Sequence, residues 1–123
     1  MIAMPFRVLA ADDDPTAGLL MQAALGGGDF LLTLADNGRD ALAEFRKSTF
    51  DIVLLDVEMS GLDGFEVCAA IRQSYGRQFP VVFVTGRTDA AFVERAQLLS
   101  ASHIAKPVDW KSLAGQLRAL LSA

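Results

Sequence analysis

The 123-residue chain contains one cysteine, one histidine, one tryptophan and one tyrosine. A single thiol cannot close an internal disulfide, and one Cys with one His falls short of the ligand set of a zinc site. Metals that prefer thiolate or imidazole are therefore disfavoured, and Cys68 reads as a small buried hydrophobe. Basic residues are also scarce, 11 against 15 acidic ones, for a net charge of −4. Such a chain lacks the basic stripe that would release counterions from nucleic acid, so direct nucleic-acid binding is not expected. No apolar run approaches the roughly 20 residues that span a bilayer. The opening MIAMPFRVLAADDD has one Arg and then a cluster of acids, unlike a cleavable export signal. A cytoplasmic chain with no membrane partner is the expectation. Low-complexity tracts are absent as well.

What the sequence does have is a hydrophobic share of 52% against a charged share of 21%, enough to bury a core. A chain of this length has room for one domain over 1–123 and no output domain. Apolar, β-branched runs at 6–11 (FRVLAA), 30–35 (FLLTLA), 52–55 (IVLL), 80–85 (PVVFVT) and, more weakly, 103–105 (HIA) predict five strands. Helical spacing intervenes: Ala17, Leu20, Met21, Ala24 and Leu25 share a face, as do Phe92, Ala96 and Leu99, and then Trp110, Leu113, Leu117, Leu120 and Leu121. Gly26-Gly27-Gly28 ends the first helix, and Asp36-Asn37-Gly38 leads into Arg39–Lys47. Five strands alternating with five helices through right-handed crossovers give an α/β fold, a doubly wound parallel sheet covered on both faces.

In such a sheet ligands bind outside the carboxyl ends of the strands, near the point where strand order reverses. The first strand runs out into Asp12, Asp13 and Asp14, the third into Asp56, the fourth into Thr85 and the fifth into Lys106-Pro107. Taken singly, Asp12 or Asp14 reads as a helix cap before Pro15, Thr85 as an ordinary strand residue and Lys106 as a solvated charge. Their coincidence at successive strand ends points instead to one site. Several carboxylates meeting there repel one another unless a cation intervenes, and Mg2+, with its preference for carboxylate and phosphate oxygens, is the simple remedy. A carboxylate is also a nucleophile toward phosphorus. Phosphoryl transfer asks mainly for in-line positioning and charge neutralisation, which suits a site without a histidine base. Lys106 and the Thr85 hydroxyl would each meet a phosphoryl oxygen.

With AADDDP, LLDVEMSGLDGFEV, VVFVTGR and AKP in this order, the chain resembles the receiver (response-regulator) family of two-component signalling over nearly its whole length. The resemblance implies the flavodoxin-like strand order 2-1-3-4-5. It also implies Asp12 and Asp13 as metal-binding acids, Asp56 as metal ligand and phosphoacceptor, Thr85 as the switch hydroxyl, and Lys106 as the phosphoryl-pairing lysine. Glu58 would give the ion its backbone carbonyl, while Glu58 and Arg87 would flank the phosphoryl group. Asp63-Gly64 matches the turn into the third helix, and Lys106-Pro107 is expected to be cis, a conformer essentially confined to bonds before proline. Two departures stand out: Ser60 replaces the usual proline after the methionine, and His103 occupies the place of an aromatic switch residue. The lead-in SASHIAKPV, without the usual glycine-alanine-acid, suggests an altered fourth helix and fifth strand.

By the same resemblance the partners are a histidine kinase or histidine phosphotransfer protein and a downstream effector or an output domain, the chain being either a stand-alone receiver or a fragment of a longer regulator. A homodimer would use the surface of the fourth helix, fifth strand and fifth helix. Phosphoryl transfer and dephosphorylation would be self-catalysed, in a signalling protein rather than an enzyme. Three rivals exist. Asp12-Asp13-Asp14-Pro15-Thr16 satisfies the D-x-D-x-T pattern of haloacid-dehalogenase-like phosphatases, with Asp12 as nucleophile, but no paired acids follow Lys106 and Asp56 is left unexplained. A flavodoxin-like FMN carrier needs a phosphate-cradling loop where three aspartates stand. A pseudo-receiver would bind partners without being phosphorylated.

Overall fold

Five apolar runs form the strands β1 (Phe6–Ala11), β2 (Phe30–Ala35), β3 (Ile52–Leu55), β4 (Val81–Thr85) and β5 (Ser102–Ala105) in a computed structural model that describes residues 4–122. The helices are α1 (Pro15–Ala24), α2 (Gly38–Lys47), α3 (Gly64–Tyr75), α4 (Ala90–Leu98) and α5 (Trp110–Leu121). All pairings are parallel and the order is β2-β1-β3-β4-β5, the doubly wound sheet that the alternation of elements predicts.

Strand parity sorts the core into two layers, because successive side chains leave a strand on opposite faces. Leu9, Ala11, Val53, Leu55, Val81 and Phe83 pack with α2, α3 and α4. Val8, Ala10, Ile52, Leu54, Val82 and Val84 pack with α1 and α5. The central strands β3 and β4 are buried at every position, whereas the edge strand β5 is mostly exposed, as its weak apolar pattern foreshadows.

Boundaries differ from the sequence reading by a residue or so. Pro80 has no N–H to give a ladder and falls just before β4, with its carbonyl accepting from Val53 N at 3.1 Å. Ser102 joins β5, and α4 stops at Leu98 with Leu99 as its C-cap. Leu20 is not core. Burial in α1 follows Ala17 and Met21 on to Leu25, and Leu20, beside that stripe, stays 42% exposed.

Each helix follows a strand, α3 only after the loop 56–63, and four of the five carry a side-chain N-cap: Asp14, Asn37, Asp63 and Asp89. Asp63 and Glu66 cap reciprocally, so the turn into α3 is closed from both sides. At the far end of the domain Arg72 donates to the carbonyls of Leu99 (2.6 Å), Phe79 (2.6 Å), Gly76 (3.0 Å) and Ser100 (3.1 Å). One guanidinium thereby ties the C-terminus of α3 to the α4–β5 turn. Among the described residues no helix is long and apolar enough to cross a membrane.

Candidate functional site

The site residues hang directly from the sheet. Beyond the strands, Asp12 N donates to Ala35 O (3.2 Å), Asp56 N to Ala11 O (2.9 Å) and Lys106 N to Thr85 O (3.0 Å), which continues the parallel ladders by one residue. The side chains at these positions consequently converge at one rim. Carboxylate oxygens of Asp12, Asp13 and Asp56 all lie within 4.8 Å of one another. Lys106 Nζ donates to Asp12 Oδ2 at 2.8 Å and stands 3.6 Å from Asp56 Oδ2. The Lys106–Pro107 bond is cis.

Electrostatics follow from this packing. Burial pushes the Asp56 carboxyl above its usual range, Asp12 pushes it further, and Lys106 together with the Val57 and Glu58 amides pulls it down by less. Lys106 behaves oppositely: burial alone would lower it, but the Asp12 hydrogen bond and the charges of Asp56 and Asp12 prevail and hold its ammonium above the ordinary lysine value. Three carboxylates share one ammonium, so the cluster stays short of positive charge. The donor set consists of hard oxygen atoms from a half-buried acid pair and an exposed third acid, and it is suited to a divalent cation such as Mg2+.

Asp56, Glu58, Thr85, Gly86, Arg87 and Lys106 line a cavity of about 280 Å3 beside the carboxylates. Thr85 is buried, and its Oγ1 accepts from Arg87 N at 3.2 Å. Asp14 is engaged elsewhere, capping α1 through Thr16 N at 3.0 Å while its own N–H donates to Asp12 Oδ1 at 2.9 Å. A phosphatase acid at position 14 would have to abandon that cap. His103 is exposed on β5, on the side that meets α4, with its ring centroid 4.9 Å from that of Phe92, edge to face. Ser60 sits exposed in the loop after Met59, next to Gly61 at φ +76°.

Some parts of the site lay outside the sequence reading. A Cβ on Gly64 would stand 2.3 Å from Asp56 O, and one on Gly38 would stand 2.0 Å from Leu62 O. The loop from Asp56 to Asp63 is thus pressed from two sides by backbone that only glycine permits. For Gly64 the Asp-Gly pair was a visible signal, but Gly38 looked like ordinary turn chemistry. Arg95 also escaped notice: its guanidinium lies over the Phe65 ring at 4.2 Å, on the wall of a larger cavity with Asp13, Glu58 and Arg87. So did Asp89, whose carboxylate pairs with Arg87.

The family model of the response regulator receiver domain matches residues 8–118. The chain belongs to the response regulator receiver domain family. Among its curated relatives, the transcriptional regulatory protein PcoR of Escherichia coli is 32% identical over 94% of this receiver domain and 51% of its own length. The response regulator MprA of Mycolicibacterium vanbaalenii is 36% identical, over 96% and 51%. A solved structure of the Vibrio cholerae chemotaxis protein CheY4 superposes with a TM-score of 0.86 at 28% identity, covering 95% of this chain and 99% of that one. The receiver domain spans about half the length of the curated relatives it matches. As a receiver domain of two-component response regulators it is a signalling module, and nothing in these comparisons favours a phosphatase, a flavin carrier or a pseudo-receiver.

Proposed function

We propose that this receiver domain takes a phosphoryl group from a phosphohistidine, on a histidine kinase or a histidine phosphotransfer protein, onto Asp56. An Asp56 oxygen attacks phosphorus as the P–N bond breaks, and the departing imidazole nitrogen keeps the electron pair and takes up a proton. Asp12, Asp13, Asp56 and the backbone carbonyl of Glu58 would hold Mg2+. When bound, that ion supplies neutralisation of phosphoryl oxygens. Lys106 leaves its pairing with Asp56 to meet one phosphoryl oxygen, and the buried Thr85 hydroxyl donates to another. The same residues serve self-catalysed dephosphorylation, in which water attacks phosphorus and the P–O bond to Asp56 breaks.

The observation that carries this reading is the convergence of three carboxylates within 4.8 Å, with Lys106 Nζ 2.8 Å from Asp12 and 3.6 Å from Asp56. Recruitment of Thr85, followed by His103 on the neighbouring strand, then alters the surface of α4, β5 and α5. An effector protein, an output domain or a second copy of the chain reads that surface, in the cytoplasm. Incubation with acetyl phosphate, with and without Mg2+, tests the assignment. A phosphoryl mass increment mapped to Asp56, dependent on Mg2+ and absent from Asp56→Asn, is the expected result. An increment mapped to Asp12 would favour the phosphatase instead, and no increment at all would favour a pseudo-receiver.

A further inference from the structure

Beside the acceptor cavity Arg87 Nε donates to Asp89 Oδ1 at 3.0 Å, and a terminal guanidinium nitrogen donates to Asp89 Oδ2 at 2.9 Å. Oδ2 also accepts from Phe92 N at 3.2 Å, which makes Asp89 the N-cap of α4. A single guanidinium therefore holds the capping carboxylate in the orientation that closes the first turn of α4. Arg87 belongs equally to the site. It lines the 280 Å3 cavity with Asp56, Thr85 and Lys106, and its amide donates to Thr85 Oγ1.

We propose that Arg87 is a positioning residue that couples the acceptor to α4: a phosphoryl group on Asp56 draws its guanidinium away from Asp89 and loosens the N-cap of that helix. The inference rests on the reading of Asp56 as phosphoacceptor. A phosphoryl group brings more charge than a carboxylate and three strong acceptor oxygens, which favours transfer of the guanidinium. Asp89 is half exposed, so solvent screens its hold on Arg87. When Thr85 is drawn toward the same group, it carries with it the acceptor of the Arg87 amide, and both attachments of Arg87 respond to one event. The far end of α4 is secured separately. Arg72 binds the carbonyls of Leu99 and Ser100, and Arg77 binds the Leu98 carbonyl and Ser100 Oγ. The helix is thereby released at its first turn and held at its last, and Val93, already 41% exposed in that first turn, changes its presentation to a partner.

Coupling of this kind is reciprocal, so whatever weakens the Asp89 hold must strengthen occupancy of the site. The test uses the full chain with Mg2+ and beryllofluoride as a phosphoryl mimic. Hydrogen exchange at the Phe92 amide is expected to quicken on loading by about five- to thirty-fold, the range to which a lost N-cap corresponds. The Ala101 amide, which donates to Ala96 O at the anchored end, should be unchanged. Asp89→Asn keeps a capping side chain but loses the charge: it should bind beryllofluoride several-fold more tightly, with a Phe92 amide that no longer responds. Arg87→Ala should bind more weakly, and Arg87→Ala/Asp89→Asn should match Arg87→Ala alone. A loaded wild type with an unmoved Phe92 amide, or Asp89→Asn binding no better than wild type, overturns the coupling and leaves the acceptor standing. A wild type that binds no beryllofluoride and gains no phosphoryl mass from acetyl phosphate overturns the acceptor, and the coupling with it.

Discussion

Lys106 and Asp12, 94 positions apart in the chain, are joined by a 2.8 Å hydrogen bond, and the same ammonium stands 3.6 Å from Asp56. A single cation from the end of β5 therefore bridges carboxylates from the ends of β1 and β3, where the proposed Mg2+ would also sit. Lys106→Met removes the competing ammonium and leaves the acids facing one another. Mg2+ should bind at least several-fold more tightly to this variant while phosphorylation of Asp56 slows. Trp110 lines a cavity with Asp12 and Lys106, so its fluorescence can follow the titration. Weaker Mg2+ binding by Lys106→Met would contradict the shared-seat argument.

At Gly64 a methyl group would meet the Asp56 carbonyl at 2.3 Å, and backbone must move to admit it. Gly64→Ala is expected to cost about 1–3 kcal/mol through overpacking and, by shifting the acceptor loop, to depress phosphorylation. Urea denaturation and the yield of phosphoprotein from acetyl phosphate measure the two effects. A stable, fully phosphorylated Gly64→Ala would show that the loop has slack.

Arg72 carries no carboxylate partner among the described residues and spends its donors on four carbonyls. Arg72→Met leaves part-buried acceptors unpaired, for a loss of about 1–3 kcal/mol. Exchange should quicken at Ser100 and Ala101 while Asp56 still accepts its phosphoryl group. Hydrogen exchange read residue by residue would reveal whether the damage stays local.

Cys68 is fully buried, and burial pushes its thiol above the ordinary value despite the nearby positive charge of Arg72. Less thiolate and no access mean that a disulfide reagent at neutral pH should leave the native thiol untouched and titrate it only on unfolding. Rapid labelling of the folded chain is the contrary result.

Asp89 is held down to about 2, first by the Arg87 hydrogen bond. A carboxyl depressed in the folded chain stabilises it above the ordinary carboxylate value near 3.8, and that contribution disappears as the pH falls through about 2. Carbon-detected NMR titration of Asp89 should give the low midpoint in wild type and a higher one in Arg87→Ala, where the Phe92 amide still donates to the carboxylate. An unchanged midpoint in the variant would refute the pairing.

The sequence exposed the sheet because its strands are buried on both faces and must be nearly continuous in apolar residues, as in IVLL and VVFVT. Asp12, Asp13, Asp56 and Lys106 were legible for a related reason: strand ends in an α/β sheet share one rim, so four unremarkable side chains gain meaning from position. Leu20 misled because helical spacing defines a stripe without fixing its width. Gly38 and Arg95 stayed hidden because their roles depend on contact with Leu62 and Phe65, residues brought near only by the packing of whole helices. Asp89 is a good cap by type, but nothing in the string of letters says that its carboxylate is shared with Arg87.

The hanging of Asp12, Asp56 and Lys106 from the sheet ladder separates two kinds of evolutionary freedom. The carboxylates fixed to the buried ends of β1 and β3 cannot drift without disturbing the core, and Lys106 follows the exposed edge strand β5, whereas the outward sides of the helices are open to revision. A designer can therefore redraw the outward helix faces and keep the cluster of Asp12, Asp13 and Asp56 in place.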